Sequence, residues 1–294
     1  MSIIEAIVQA VVQGLSEFLP ISSSGHISLV QHFFGVSGDS AVLFMIILHV
    51  ATLVAVVGAF FPLIWSLLME VGRMFRDLFT GKFSFKNRSP ERNMIFMLIL
   101  ALLPLLVVYP FKDFFTGVAS DQDIVLEGVC FLVTASMLFI ADHMVRGKKE
   151  MGEIRVRDSL LVGGFQCVAL LPGVSRSGST ISGGLISGMT RETAVQFSFI
   201  LGIPAILGGA VSEIGDVSAS DLTTIGIAPI IVGFIVAAVV GFLSIKMVQW
   251  LIKSDKFKIF YWYTGILGIL TVVTGVVEHI VGQNIVSYIG GLLA

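Results

Sequence analysis

Apolar residues run along this chain in long blocks rather than in alternation with polar ones. The blocks 41–69, 94–111, 124–145, 193–215, 225–247 and 259–280 are each long enough to cross a hydrocarbon core about 30 Å thick as a helix. Two further segments, 3–35 and 159–189, are weaker, because Ser, Gly and Pro interrupt their apolar pattern. A membrane β-barrel needs segments of about ten residues that alternate apolar and polar positions. The near-continuous runs Ala41 to Met69 and Ile227 to Leu243 exclude that alternative. The expected fold is an all-α polytopic membrane protein, with six transmembrane helices and two re-entrant helix-loop-helix segments.

Composition agrees with this pattern. Of the 294 residues, 55% are hydrophobic and 13% charged, and the mean hydropathy is +0.96, far from the balance of a soluble domain. Connecting loops must be short, so residues 1–294 read as a single membrane domain. Cys130 and Cys167 lie in apolar segments without metal-ligand spacing and read as small packing residues. The first twenty residues hold Glu5 and Glu17 and no basic stretch, so a cleaved signal peptide is not expected.

A shift of 153 positions brings Gln13 onto Gln166, Ser22 onto Ser175, Ser24 onto Ser177 and Gly25 onto Gly178. The register continues, with Ala41, Val42, Phe44, Ile47 and Leu48 falling on Ala194, Val195, Phe197, Ile200 and Leu201. Two related halves are expected, 1–150 and 151–294. If each opening segment is re-entrant, each half crosses the membrane three times. An odd number of crossings sets the halves in opposite orientations, an inverted-topology repeat.

Cytoplasmic loops are enriched in Lys and Arg. On this topology sixteen of the eighteen basic residues fall at one face, from Arg73, Arg76, Lys82, Lys86, Arg88 and Arg92 through Arg146, Lys148, Lys149, Arg155 and Arg157 to Arg191, Lys246, Lys253, Lys256 and Lys258. Lys112 and Arg176 are the exceptions. Asp113, Asp121, Asp123, Asp216 and Asp221 mark the opposite face, which places both termini outside. Trp65, Trp250 and Trp262 near span ends suit interfacial anchoring.

The two broken segments carry the chemistry. They are polar from Gln13 to His26 and from Gln166 to Thr180, and both hold a hydroxyl-rich loop closed by glycine, before a restarting helix. Lipid cannot satisfy exposed backbone, so breaks at membrane depth must be buried in protein or line a wet cavity. A helix start offers free N–H donors and partial positive charge, which suits phosphate oxygens. Two such starts meeting from opposite sides would form one phosphate-handling site. Its binding residues would be Gln13, Ser22, Ser24, Gly25, Gly173, Ser175, Ser177, Gly178 and Thr180, with Arg176 as a charged fork.

Glu17 and His26 point beyond binding. A carboxylate can hold a divalent cation or accept a proton, histidine exchanges protons near neutral pH, and the two could close on each other across the loop. Ser22, Ser23 and Ser24 are candidate nucleophiles; Ser23 is preferred, although spacing alone does not choose. Against this, Ser and Gly also line helix contacts simply because they are small. Glu17 and Arg176 resist that bland reading, since an ionisable group in a span costs about 2.5 to 3.5 kcal/mol on insertion scales. His49, His143 and His279 have no ligand partner at helical spacing and are given no role.

At these two motifs the chain resembles the bacitracin-resistance type of undecaprenyl-diphosphate phosphatase, a polytopic family separate from the acid-phosphatase-like lipid phosphatases. That family carries Glu or Gln, three residues, then Glu, here Gln13 and Glu17, followed by a Pro-x-Ser-Ser-x-Gly-His run, here Pro20 to His26. Its second signature, Pro-Gly-x-Ser-Arg-Ser-Gly-x-Thr, is complete from Pro172 to Thr180. The resemblance implies hydrolysis of a C55 polyprenyl diphosphate to the monophosphate and inorganic phosphate. The site would face the extracytoplasmic side of the plasma membrane and use Mg2+ or Ca2+. By matched position it implies Glu17 for metal binding or proton transfer, Ser23 and His26 for the attack, and Arg176 for the diphosphate. Gln13 stands where many members have a second glutamate, which removes one possible metal carboxylate. Expected partners are the lipid substrate and membrane lipids, with a homodimer left open and no nucleic acid. The rival expectation is a secondary transporter or flippase of a lipid phosphate, because inverted repeats with broken helices also build transporters.

Overall fold

The computed structural model describes all residues except 35–40, 85–87, 112–123, 145–146, 218, 255, 283 and 286–294. The expected charges at Lys86, Lys112, Asp113, Asp121, Asp123 and Arg146 lie outside the described residues. Among the described residues the chain is helical, and no strand is formed.

Six helices are long and apolar enough to cross a membrane: α3 (Ala41–Ala59), α5 (Pro90–Val108), α6 (Val125–His143), α9 (Arg191–Glu213), α11 (Ile227–Lys253) and α12 (Lys258–Val281). Each coincides with an expected span, with one correction. The block 41–69 is not one helix, because α3 stops at Ala59 and α4 (Phe61–Phe79) starts afresh with Pro62 in its first turn. Proline lacks the N–H needed to continue a helix and clashes with the preceding turn. Uniform apolarity on both sides hides that stop.

The two broken segments form short helices. In the first, α1 (Ile3–Ser16) is followed by α2 (Ser23–Phe34); in the second, α7 (Val156–Val168) is followed by α8 (Arg176–Ile186). At 1.5 Å per residue these are about 16 to 21 Å long, too short to span a bilayer core. The short α10 (Ala219–Ile225) precedes α11.

Packing pairs α1 with α11, α7 with α5, and α6 with α12, while α3 lies against both α9 and α11. Small residues permit these approaches, as in other membrane bundles. A Cβ on Gly14 of α1 would sit 3.0 Å from the Ala237 carbonyl of α11, and one on Gly163 of α7 would run into the Ala101 carbonyl of α5.

Ion pairs gather the helix ends. Arg92 at the start of α5 reaches Glu70 and Asp77 of α4, each at 2.7 Å. Arg191 at the start of α9 meets Asp142 near the end of α6 at 2.6 Å. Lys149 binds Asp158 at the start of α7 (2.8 Å) and the Ser187 carbonyl just past α8 (2.6 Å). Asn93 of α5 donates to the Met151 and Ile154 carbonyls. At the other ends, the Met1 amino group donates to the Thr224 carbonyl of α10 (3.1 Å), and His32 near the end of α2 meets Glu278 near the end of α12 (2.9 Å). Thus α7 and α8 have their outer ends tied to one cluster of contacts, and α1 and α2 have theirs tied to elements at the opposite ends of the long helices.

Candidate active site

The two breaks meet in the interior. In the first, Glu17 follows the last turn of α1, its N–H still bonded to the Gln13 carbonyl at 2.9 Å, and the chain turns through Pro20 to Ser22. Ser22 has φ +75°, a left-handed conformation costly for a residue with a Cβ. Such strain persists where the surroundings enforce it, and it marks functional sites. In the second break the left-handed position is Gly173, φ +94°, where no Cβ opposes it.

Each break ends in a serine-capped helix start. Ser22 Oγ accepts from the Gly25 N–H at 3.2 Å, and Ser175 Oγ accepts from the Gly178 N–H at 3.0 Å. The Oγ pairs Ser22/Ser24 and Ser175/Ser177 are 3.4 and 3.3 Å apart. The loops are joined reciprocally: the Gly173 N–H donates to Ser24 Oγ at 3.0 Å, and Ser177 Oγ donates to the Leu19 carbonyl at 3.3 Å. Gly25 permits the approach, since a Cβ there would lie 2.7 Å from the Phe131 ring and 3.3 Å from Gly173 Cα.

Around this junction Glu17, 6% exposed, collects four side chains. Arg176 Nη2 donates to its Oε1 at 2.5 Å. Ser23 Oγ donates to Oε2 at 2.9 Å, and Gln13 Nε2 donates to the same oxygen at 3.1 Å. His49 Nε2 lies 3.8 Å from Oε2. A cavity of about 390 Å³ opens beside them, and Glu17, Ser23, Ser24, Arg176, Ser175 and Ser177 are among the polar residues that line it. Leu105, Leu170 and Ile206 are among its apolar lining, and it extends to Tyr109 after α5 and to Glu213 at the end of α9. Arg176 has its room because α9 carries Gly202 there: a Cβ at that position would run into the guanidinium.

Not every expected residue borders the cavity. Gln13 is buried behind Glu17, while Ser22, Gly25, Gly173 and Gly178 shape the loops. Thr180 turns toward α9, its Oγ1 2.6 Å from Ser198 Oγ. His26 does not close on Glu17. Its Nδ1 lies 2.7 Å from the Ser22 carbonyl and its Nε2 2.8 Å from the Tyr263 hydroxyl, so Nδ1 carries the proton to the carbonyl and Nε2 accepts from tyrosine. The ring stacks on Tyr263 at 5.7 Å, away from the cavity wall.

His49 and Gln166 are among the cavity residues that had gone unassigned. His49 was given no role, yet it faces Glu17, and the signal for it was a polar ring inside an otherwise apolar span. Gln166, the residue 153 positions after Gln13, also lines the cavity.

Comparison with known proteins now becomes specific. The family described as bacitracin resistance protein BacA matches residues 6–270, most of the chain and both breaks. The chain belongs to this BacA family. Similar curated relatives include the undecaprenyl-diphosphatase of Alkaliphilus metalliredigens, 36% identical over 273 residues that cover 92% of this chain and 98% of the relative. That of Protochlamydia amoebophila is 39% identical over 279 residues, covering 92% and 98%. That of Methanosphaera stadtmanae is 35% identical over 285 residues, covering 94% and 99%. All three names describe a hydrolase of a lipid diphosphate, and none describes the transporter expected as the rival.

Proposed function

We propose that this chain is a membrane undecaprenyl-diphosphate phosphatase, which releases inorganic phosphate and returns undecaprenyl phosphate, a lipid carrier, for cell-wall synthesis. The observation that carries this reading is the Ser23–Glu17–Arg176 arrangement beside two helix starts, on a cavity lined by both polar and apolar side chains. A diphosphate on an isoprenoid tail needs both kinds of lining.

The chemistry follows from these contacts. Glu17 accepts the Ser23 proton as Ser23 Oγ bonds to the terminal phosphorus, and the bond from that phosphorus to the bridging oxygen breaks. Undecaprenyl phosphate departs with the bridging oxygen. Water then attacks the phosphoserine phosphorus, Glu17 returns its proton to the departing Ser23 Oγ, and inorganic phosphate leaves with the proton lost by water. Arg176 exchanges its bond with Glu17 for the incoming phosphates, and the N–H groups of the two helix starts stabilise charge spreading over the equatorial oxygens.

A divalent cation, Mg2+ or Ca2+, is part of the proposal. Hard cations take oxygen ligands and are commonly held by one or two carboxylates together with substrate phosphates. Glu17, a carboxylate on the cavity wall, fits that donor set and would hold the cation together with substrate phosphate oxygens. When bound it would neutralise diphosphate charge.

The finer topology is likewise proposed: two inverted repeats, 1–150 and 151–294, each opening with a re-entrant pair. The support is the exchange of partners, α1 on α11 where α7 lies on α5, and the tying of the two pairs to opposite ends of the long helices. The cavity runs toward Tyr109 and Glu213, the ends of α5 and α9 remote from the basic residues Arg92 and Arg191. Under the positive-inside rule, that opening faces the extracytoplasmic side of the plasma membrane.

The decisive experiment follows phosphate release from undecaprenyl diphosphate by the purified chain in detergent, with a water-soluble diphosphate ester in parallel. Turnover of the lipid well above that of the soluble ester is expected; no release from either would reject the reading.

A further inference from the structure

Gln13 and Gln166 occupy positions 153 apart, yet they are used differently. Four residues after Gln13 stands Glu17, which takes the Gln13 Nε2 hydrogen bond at 3.1 Å. Four residues after Gln166 stands Leu170, which offers no side-chain acceptor. Gln166 is 3% exposed, and neither its Oε1 nor its Nε2 has a hydrogen-bond partner among the described residues. It lines the same cavity as Arg176, whose Nη1 is also buried without a partner among the described residues. Burying a polar group without a partner is destabilising, and native proteins rarely leave both ends of an amide so. Orphaned atoms on two side chains that line a single cavity mark a place where a ligand would supply the missing partners.

We infer that Gln166 is a substrate-binding residue that holds the terminal phosphate of the diphosphate and the inorganic phosphate released from it. The chemistry of the amide selects this group. Arg176 only donates hydrogen bonds, whereas an amide both donates and accepts. It therefore matches a phosphate that presents an O–H beside its charged oxygens, as a terminal or free phosphate does near neutral pH and a doubly esterified bridging unit does not. This assignment rests on the proposed reading of the cavity as a diphosphate site.

The test uses the full chain in detergent and two variants, Gln166→Met, which keeps the bulk and removes both polar atoms, and Gln166→Glu, which removes the donors and sets a negative charge toward phosphate. Three quantities are read: KM and kcat on undecaprenyl diphosphate, inhibition by inorganic phosphate, and the Tm without ligand. For Gln166→Met, KM and the phosphate inhibition constant should each rise on the order of tenfold, with kcat changed by less than about threefold. Its ligand-free Tm should stay level or rise, because an unsatisfied group has been removed. Gln166→Glu should weaken phosphate inhibition further than Gln166→Met. Unchanged KM and phosphate inhibition in both variants would overturn the inference. So would a fall in ligand-free Tm with normal kinetics, or failure of both variants to fold, since an amide without a protein partner cannot be what holds the fold. A wild-type chain that neither turns over the lipid nor responds to phosphate would instead refute the reading of the cavity itself.

Discussion

The two broken segments are built alike and equipped differently. Both end in a serine cap that receives the N–H three residues on, and both pair that serine with a second hydroxyl two residues later. At the positions around the caps they diverge: Glu17 faces Leu170, Ser23 faces Arg176, and His49 faces Gly202 across the shift of 153. On the proposed mechanism the first break carries the base and the nucleophile, while the second carries the fixed positive charge and the space for it. Electropositive helix starts come from the backbone and can be duplicated freely, whereas a base and a cation must differ to be useful. In the proposed repeat, duplication would supply the cradle and divergence at three positions the chemistry.

The sharpest way to break this comparison is at Glu17. Glu17→Gln keeps size and removes the proton acceptor, and kcat should fall about 10³-fold or more. A loss below about tenfold would take the base out of the first break. Ser23→Ala should fall comparably, and a wild-type rate there would leave water as the attacking group.

Next in size is the charge of the second break. Arg176→Lys keeps the charge but loses the planar fork, and kcat/KM should fall about 10² to 10³-fold. An equal rate would mean that any cation serves. Adding a chelator to the wild type should remove most turnover, restored by Mg2+ or Ca2+; full activity without metal would remove the cation from the proposal.

Smaller effects test the junction between the breaks. Gly25→Ala puts a Cβ 2.7 Å from Phe131, and thermal unfolding should show a loss of about 1 to 3 kcal/mol. Leu170→Glu would give Gln166 the partner that Gln13 already has, and should raise KM about tenfold with a smaller change in stability. An unchanged KM would show that the contrast between Glu17 and Leu170 carries no functional weight.

Much of this was legible in the sequence. The blocks that became α3, α5, α6, α9, α11 and α12 were visible as apolar runs, because a helix in lipid needs apolar residues over its whole length. Glu17, Ser23 and Arg176 were legible because ionisable and hydroxyl groups in a weak span demand a reason. His49 was given no role because a lone polar ring in a helix of 19 residues has no periodic partner there; the group it meets comes from residue 17. The break at Phe60 escaped because Pro62 lies within a run whose composition reads as one span.

By itself the sequence determined that helices form, where the chain must break, and which side chains are too costly to bury without purpose; these are properties of a residue and its near neighbours against a lipid solvent. Only the tertiary structure decided who meets whom. Ser22 and Tyr263, 237 residues beyond His26, hold that ring away from Glu17, while Arg176 crosses 159 residues to reach the same carboxylate. Side-chain partners depend on interhelical distance and direction, which the packing of small residues sets and no local pattern encodes.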